Sequence, residues 1–509
     1  MKRLLGCFAA MLLAACTGVE DGQEEGGANA NDRSGGSAEG ERLETGAMAV
    51  SPSGAYIVAR RNTTTLVVDV HGQRVTELDV VGERFVFSKK REVVYAVLAN
   101  LQGVVAIDLA TTKELWRTVP AFTSSTGAFL ARVTEDDTTL LVADYDRVFS
   151  IDPQNGDVRG VASSVGVRPV DLELLPGDEH AIVVGSTTWA DGGPHTPVSL
   201  IAVGRGSSDA IAKVTTIDVP NCAAPIAIVP DGSRALLSPT FCTADAAARA
   251  KGWSNPDPVS MIDIDANAGQ LAFIKNLPGF GPVSLLADGK AVAYLDTKRM
   301  DASMFDDRSQ VPGPMADQYH LMMIDPASMK FDLHPIGSQL PRFAPSKDGK
   351  SLLVDASVTV VRNEASASIT FDPSTGKITA ELKGAFGDTS GSLFGVFDLA
   401  SKTYVPFSGP GAALDRFVQL GDGSQVFTLK ETSLGGDLFA IDVGARTSVD
   451  LDRSLRDIGI LPDGRTLVLR IRLELDAERY AREEFCLSTD GRTCTTSIMY
   501  RSRVPQARD

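Results

Sequence analysis

Two short patterns alternate along this chain, and their recurrence limits the fold more than any other feature. The first is a turn followed by an apolar run. Ser51-Pro52-Ser53-Gly54 leads into Ala55-Tyr56-Ile57-Val58-Ala59, and the pattern returns from Ser88, Thr134 and Pro176. Its sharpest copies are Pro230-Asp231-Gly232, Ala287-Asp288-Gly289, Lys347-Asp348-Gly349, Gly421-Asp422-Gly423 and Pro462-Asp463-Gly464. Asp-Gly between apolar runs favours a tight turn, because Gly accepts the positive φ such turns need. The second pattern is two apolar positions, an Asp and a turn, as in Ala106-Ile107-Asp108, Ser150-Ile151-Asp152-Pro153, Met261-Ile262-Asp263, Met323-Ile324-Asp325-Pro326, Thr370-Phe371-Asp372-Pro373 and Ala440-Ile441-Asp442.

Together the patterns define a unit of four short strands. In the third unit these are expected at Ala128–Val133, Thr139–Ala143, Arg147–Ile151 and Asp157–Val161. The units recur about every 37 to 60 residues, near the period of propeller blades. Helical periodicity is weak, with only Ala244 to Lys251 and Asp476 to Glu484 admitting a short helix. Many short strands with Gly and Pro turns predict an all-β repeat. The expected fold is a single β-propeller of eight or nine four-stranded blades, because radial closure hides sheet edges. Nine fairly complete units are visible, plus a two-stranded fragment between Phe386 and Phe407. The alternative is two packed all-β domains that break near residues 384–412.

The unit Ala106-Ile107-Asp108-Leu109-Ala110-Thr111-Thr112-Lys113-Glu114-Leu115-Trp116 resembles the quinoprotein repeat, apolar-Asp-x-x-Thr-Gly-Lys-x-x-Trp. Thr112 stands where that repeat has Gly, and Trp116 has no counterpart in the other units. The units at large are similar to those of the quinoprotein-like and YVTN/WD40-like propellers. That resemblance implies the fold and little about activity. A quinone-dependent dehydrogenase would be expected to show adjacent cysteines and repeated docking tryptophans, and neither occurs.

The N-terminus predicts location. Lys2 and Arg3 precede an apolar run from Leu4 to Leu13, closed by Ala14-Ala15-Cys16. A basic start, a short apolar middle and small residues at the end describe a secretory signal. Leu13-Ala14-Ala15-Cys16 resembles the lipobox of bacterial lipoproteins, which implies acylation of Cys16 and a membrane anchor. Thr17 in place of Asp leans the expectation toward the outer membrane of a cell envelope. Residues 16–45 read as a flexible, disordered acidic tether, too polar to bury a core. The expected order is therefore signal peptide 1–15, lipidated linker 16–45 and propeller 46–509.

Six cysteines are present. With Cys7 and Cys16 assigned to the signal and the lipid, four remain in an exported chain, and three pairings are possible. Local pairs are expected: Cys486 with Cys494 across the turn Ser488-Thr489-Asp490-Gly491, and Cys222 with Cys242. Loss of Lys2 and Arg3 takes the formal charge of −16 to −18, which argues against nucleic acid as a partner.

Inserted residues concentrate after the second strand of units four, five and six. They carry Trp189 and His195; Phe241, Cys242 and Trp253; and Phe305, Arg308, Tyr319 and His320. Loops on a rigid scaffold concentrate binding residues, and Trp, Tyr and Arg favour interface centres. These residues form the candidate rim for an envelope or extracellular protein partner; the bland reading is that the loops only pack on each other. No catalytic set is evident. Asp263-x-Asp265-x-Asn267-x-Gly269 resembles the start of a Ca²⁺ loop but has Ile274 where the final Glu belongs. The five histidines lack paired metal spacing, and there is no nucleophile elbow, phosphate loop or dinucleotide fingerprint. No cofactor is expected. The expected function is a non-enzymatic, lipid-anchored binding scaffold. The alternative is a lyase or hydrolase acting on a carbohydrate or lactone at the central channel, built from first-strand residues such as Arg132, Glu173 and Arg342.

Overall fold

The computed structural model describes residues 48–503, apart from 62–63, 99–102, 120–129, 191–192, 205–210, 240–257, 297–304, 306–310, 312–318, 338–341, 356–365, 373–376, 384–392, 409–413, 422, 433–434 and 474–479. Cys16, the signal and the tether lie outside the described residues, as do Phe241, Cys242, Trp253 and Arg308. Every regular element described is a strand.

Among the described residues there are ten sheets: nine blades, each built on four antiparallel strands, and one two-stranded hairpin. Blade 1 runs Met48–Val50, Tyr56–Arg61, Thr64–Asp69 and Arg74–Leu78; blade 2 runs Gly82–Phe87, Val93–Leu98, Val104–Asp108 and Lys113–Thr118. Blade 3 spans Leu130–Val133 to Val158–Ser163, and blade 4 spans Asp171–Leu174 to Ala212–Val219. Blade 5 spans Ile226–Ile228 to Gln270–Leu277, and blade 6 spans Phe280–Leu285 to Lys330–Gly337. Blade 7 joins Arg342–Pro345 and Ser351–Asp355 to Leu393–Asp398 and Thr403–Ser408. Blade 8 spans Leu414–Leu420 to Thr447–Leu455, and blade 9 spans Asp457–Ile460 to Thr496–Arg503.

Two expectations are corrected. The fragment between Phe386 and Phe407 is the outer half of blade 7, while Ser366–Asp372 and Lys377–Lys383 pair only with each other as an inserted hairpin. Thr370-Phe371-Asp372 copies the repeat pattern so well because a hairpin needs the same alternation and turn wherever it sits. The segment after Asp476 contains the strand Tyr480–Ser488, in which pairing with both neighbours overrides the short helical period.

The repeated Asp residues cap turns. Between third and fourth strands, Asp69 accepts from Gly72 N at 2.7 Å, Asp108 from Thr111 N at 2.7 Å and Asp398 from Ser401 N at 2.7 Å. In blade 5 the cap is Asp265, which accepts from Ala268 N at 2.9 Å, while Asp263 is still inside the strand Val259–Asp265. The apparent Ca²⁺ motif is this turn. Between first and second strands, Asp231, Asp288, Asp348 and Asp463 accept from the backbone two residues on. These hydrogen bonds hold Asp231, Asp288 and Asp463 below the usual carboxylate range against the opposing effect of burial, and in the blade 9 turn they bring Asp490 to about 2.

Side chains from successive blades meet in nine apolar seams. Blade 2 meets blade 3 through Tyr95, Val97, Val104, Leu140, Val142 and Phe149. Trp116 stacks on Tyr95 with ring centroids 5.9 Å apart and donates its Nε1–H to Pro153 O of blade 3 at 3.2 Å. A Cβ on Gly156 would lie 2.6 Å from that indole, so the blade 3 turn has to be glycine there. Trp116 therefore docks on the next blade. Thr112 takes the place of the quinoprotein repeat's Gly while keeping a positive φ of 57°. Blades 7 and 8 meet through Leu353, Val426 and Ile441, which are fully enclosed, with Val396 and Phe407 packed against them.

The ninth seam joins blade 9 to blade 1 and closes the ring with side chains rather than an exchanged strand. Phe485, Val468 and Ile498 pack on Ile57, Leu66 and Val68. Met48 N donates to Asp457 Oδ2 at 2.6 Å, from inner strand to inner strand. Asp171 makes the equivalent link between blades 4 and 5, accepting from Ile226 N at 2.9 Å. Polar contacts complete the closure. Glu483 Oε2 receives Arg470 Nη2 at 2.9 Å, and its Oε1 lies 3.2 Å from both Arg61 Nε and Arg456 Nη1. Arg470 is only 1% exposed and also donates to Arg60 O of blade 1 at 2.9 Å.

Candidate binding rim

In a four-stranded meander, the first-to-second and third-to-fourth turns lie at one end of the strands and the second-to-third connections at the other. The first set is four to seven residues long except in blade 4, where residues 203–211 join the third and fourth strands. The second set is short in blades 1, 2, 3, 8 and 9 and long in blades 4 to 7. Four consecutive blades thus carry insertions on one face, one more than the sequence reading assigned. Blade 7 was missed because its inserted hairpin mimics a repeat unit.

In blade 4 the insertion is a continuation of the sheet. The third strand extends over Gly193–Ala202, and the short strand Thr188–Ala190 pairs with its beginning, Trp189 opposite Pro194. Trp189 is half-buried. His195 Nδ1 lies 2.9 Å from Asp218 Oδ2 on the neighbouring strand, so this imidazole is held by the same sheet. Of the residues assigned to the rim, this pair belongs to one rigid projection.

Between blades 4 and 5 the organising side chain is Asn221, which composition and spacing did not single out. It is 1% exposed. Its Nδ2 donates to Pro258 O at 2.7 Å and Ser260 Oγ at 2.9 Å, while its Oδ1 accepts from Cys222 N at 2.8 Å. Asn221 therefore fastens the point at which the blade 5 insertion re-enters its sheet. Cys222 beside it is buried and disulfide-bonded, and its partner lies outside the described residues. Cys486 and Cys494 form the other expected disulfide, in blade 9, with Cα atoms 5.3 Å apart.

Blade 6 uses its insertion differently from the expectation of exposed contacts. Phe305 is 5% exposed and lies edge-on to Phe331 at 5.7 Å, inside the seam shared with blade 5. An aromatic ring in a loop above a seam gains more by filling it than by facing water. His320 is also buried, at 8% exposure, within the strand Tyr319–Asp325. Tyr319, half-buried, packs toward blade 7. Phe305 and His320 are thus packed inward and Tyr319 is half-buried, while Trp189 and His195 stand on the blade 4 projection.

The first-strand residues form an internally paired set. Arg132 of blade 3 donates to Glu173 of blade 4 through Nε at 3.2 Å and Nη2 at 2.9 Å, and its Nη1 donates to Ala131 O at 2.9 Å. Asp171 lies 3.9 Å from the same guanidinium and holds blade 5 through Ile226 N. These are blade-to-blade links near the axis. Arg342 lies on the first strand of blade 7. Among the described residues, no group of three or more His, Cys, Asp or Glu is arranged to hold a metal ion.

No protein-family model and no curated protein matches the chain. Solved structures do. The chain is similar to the Dos1 propeller at 10% identity, covering 86% of this chain and 90% of that one, with a TM-score of 0.43. It is similar to the C-terminal WD40 domain of Sif2 at 9% identity, covering 84% and 92%, with a TM-score of 0.42. It is also similar to the dihydro-heme d1 dehydrogenase NirN at 12% identity, covering 93% and 80%, with a TM-score of 0.43. At these scores the likenesses add no constraint to what the chain's own strands and seams show: a nine-bladed β-propeller.

Proposed function

We propose that this propeller is a non-catalytic scaffold, anchored by lipid at Cys16 to a bacterial envelope, that binds a protein through the rim of blades 4 to 7. The observation that carries this reading is the confinement of long second-to-third connections to four neighbouring blades on one face. Elsewhere the same connection is a short turn, so the fold itself does not require the added length. The rim stands on fixed supports: the Thr188–Ala190 hairpin, the Asn221 anchor and the Phe305 plug. Rigid support lowers the ordering cost of binding. The carboxylates near the axis, Glu173 and Asp171, are engaged in holding blades together, which weighs against their use as acid–base groups at the channel.

The test is crosslinking capture from native membranes with the full-length chain. Variants carry the 356–392 connection or the 312–318 segment replaced by short Gly-Ser linkers. Capture of a defined protein that is lost in the variants supports the rim, and undiminished capture overturns it. Cys16→Ser in the same membranes should release the protein to the soluble fraction; continued tight association would overturn the anchor.

A further inference from the structure

Two imidazoles sit on opposite faces of blade 6: His320, buried, shares the face of Leu295 and Met322 toward blade 5, and His334, half-buried, shares the face of Leu321 toward blade 7. His320 and His334 sit on the adjacent strands Tyr319–Asp325 and Lys330–Gly337, with His320 opposite Pro335 and His334 opposite Leu321. Nδ1 of His320 and Nε2 of His334 are both enclosed and make no hydrogen bond. The His334 ring lies on Phe397 of blade 7 with centroids 5.3 Å apart. A neutral imidazole can leave one nitrogen without a partner cheaply, but an imidazolium has two N–H donors and a charge to solvate.

The charged surroundings oppose protonation. His334 faces Lys402, which comes from the third-to-fourth turn of blade 7 and donates its Nζ to Met323 Sδ at 3.1 Å. Asp332, on the same strand as His334, pulls the other way but is exposed to water. The charge that His320 meets is that of His334 itself, so a proton on one resists a proton on the other. Burial first, then these neighbours, push both imidazoles below their ordinary value. The unfolded chain therefore binds protons more readily than the folded one. The stability these groups contribute is complete above the ordinary histidine value of about 6.5 and is lost as pH falls below it.

We propose that blade 6 is an acid-responsive latch, its packing on blades 5 and 7 closed while His320 and His334 are neutral and loosened when they take up protons. Loosening frees the strand that begins at Tyr319, the point where the blade 6 insertion re-enters the sheet. The latch rests on strand packing alone and is independent of what the rim binds.

Hydrogen exchange of the full chain, corrected for intrinsic exchange, tests this at about pH 7.5 and about pH 5. Peptides from Tyr319–Gly337 and Leu393–Ser408 should lose roughly tenfold in protection on acidification, while those from blade 2 keep theirs. Protection that is unchanged in blade 6, or lost equally in every blade, would overturn the latch. His320→Leu with His334→Phe should keep blade 6 protected in acid; retained acid sensitivity in that variant also refutes it. If the variant does not fold, histidine NMR of the wild type decides the matter. Two of the five imidazoles titrating well below the rest support the latch, and five ordinary titrations rule it out.

Discussion

Replacing Glu483 by Gln should unlatch the ring at its closing seam. Glu483 is 3% exposed and receives three guanidinium groups: Arg470 through Nε at 3.0 Å and Nη2 at 2.9 Å, Arg61 at 3.2 Å and Arg456 at 3.2 Å. Gln is nearly the same shape, so no cavity forms. It offers one acceptor oxygen where the carboxylate had two, and it turns an NH₂ toward one of the arginines. Arg470, which is 1% exposed, cannot reach water to compensate. Breaking a buried pair from one side costs about 3–5 kcal/mol, against about 0–1 kcal/mol for an exposed pair. Urea unfolding at neutral pH, followed by circular dichroism, should show a lower midpoint with an unchanged slope. A loss below about 1 kcal/mol for Glu483→Gln would refute the account of a buried charge holding this seam.

Phe305→Ala should destabilise the protein by about 3 kcal/mol, because it empties a site in the seam of blades 5 and 6 against Phe331; an unchanged urea midpoint would mean the ring is not part of that core. Thr112→Gly should stabilise by about 1 kcal/mol, since a β-branched residue is strained at a φ of 57° where Gly is not. A melting temperature that falls in this variant would contradict that reading.

Much of the fold was legible because it is written in local chemistry. Asp-Gly turns such as Asp231-Gly232 and Asp463-Gly464 mark where each inner strand turns back, with Gly232 and Gly464 at positive φ. The Asp of the second pattern marks where the third strand ends, since it caps the next turn through its side chain. The same local rule explains the misassignment near residue 370. Any hairpin obeys it, so Ser366–Lys383 looks like half a blade, and only long-range pairing of Ser351–Asp355 with Leu393–Asp398 reveals the blade's true third strand. The candidate rim was legible in position but not in detail. Insert length is visible in sequence, and it located blades 4 to 6. Phe305 and His320 carry no local sign that they point inward, because burial is decided by the blade next door. Asn221 and Glu483 were invisible for the same reason. A single polar residue between apolar runs looks like any other until its partners, Pro258 in one case and three arginines in the other, arrive from distant strands.

Each sector of this ring is encoded by one contiguous stretch, and no sheet borrows a strand from another sector. Duplicating or deleting such a stretch would leave every remaining sheet whole. The opening angle between neighbours would have to readjust; the interdigitated aliphatic seams tolerate that better than links such as Met48–Asp457 and Asp171–Ile226, which would have to re-form. The bore of the ring is thus free to change with sector number while the face that carries the insertions keeps its local geometry. A gene for such a protein can alter the diameter of its centre and the reach of its rim in separate steps.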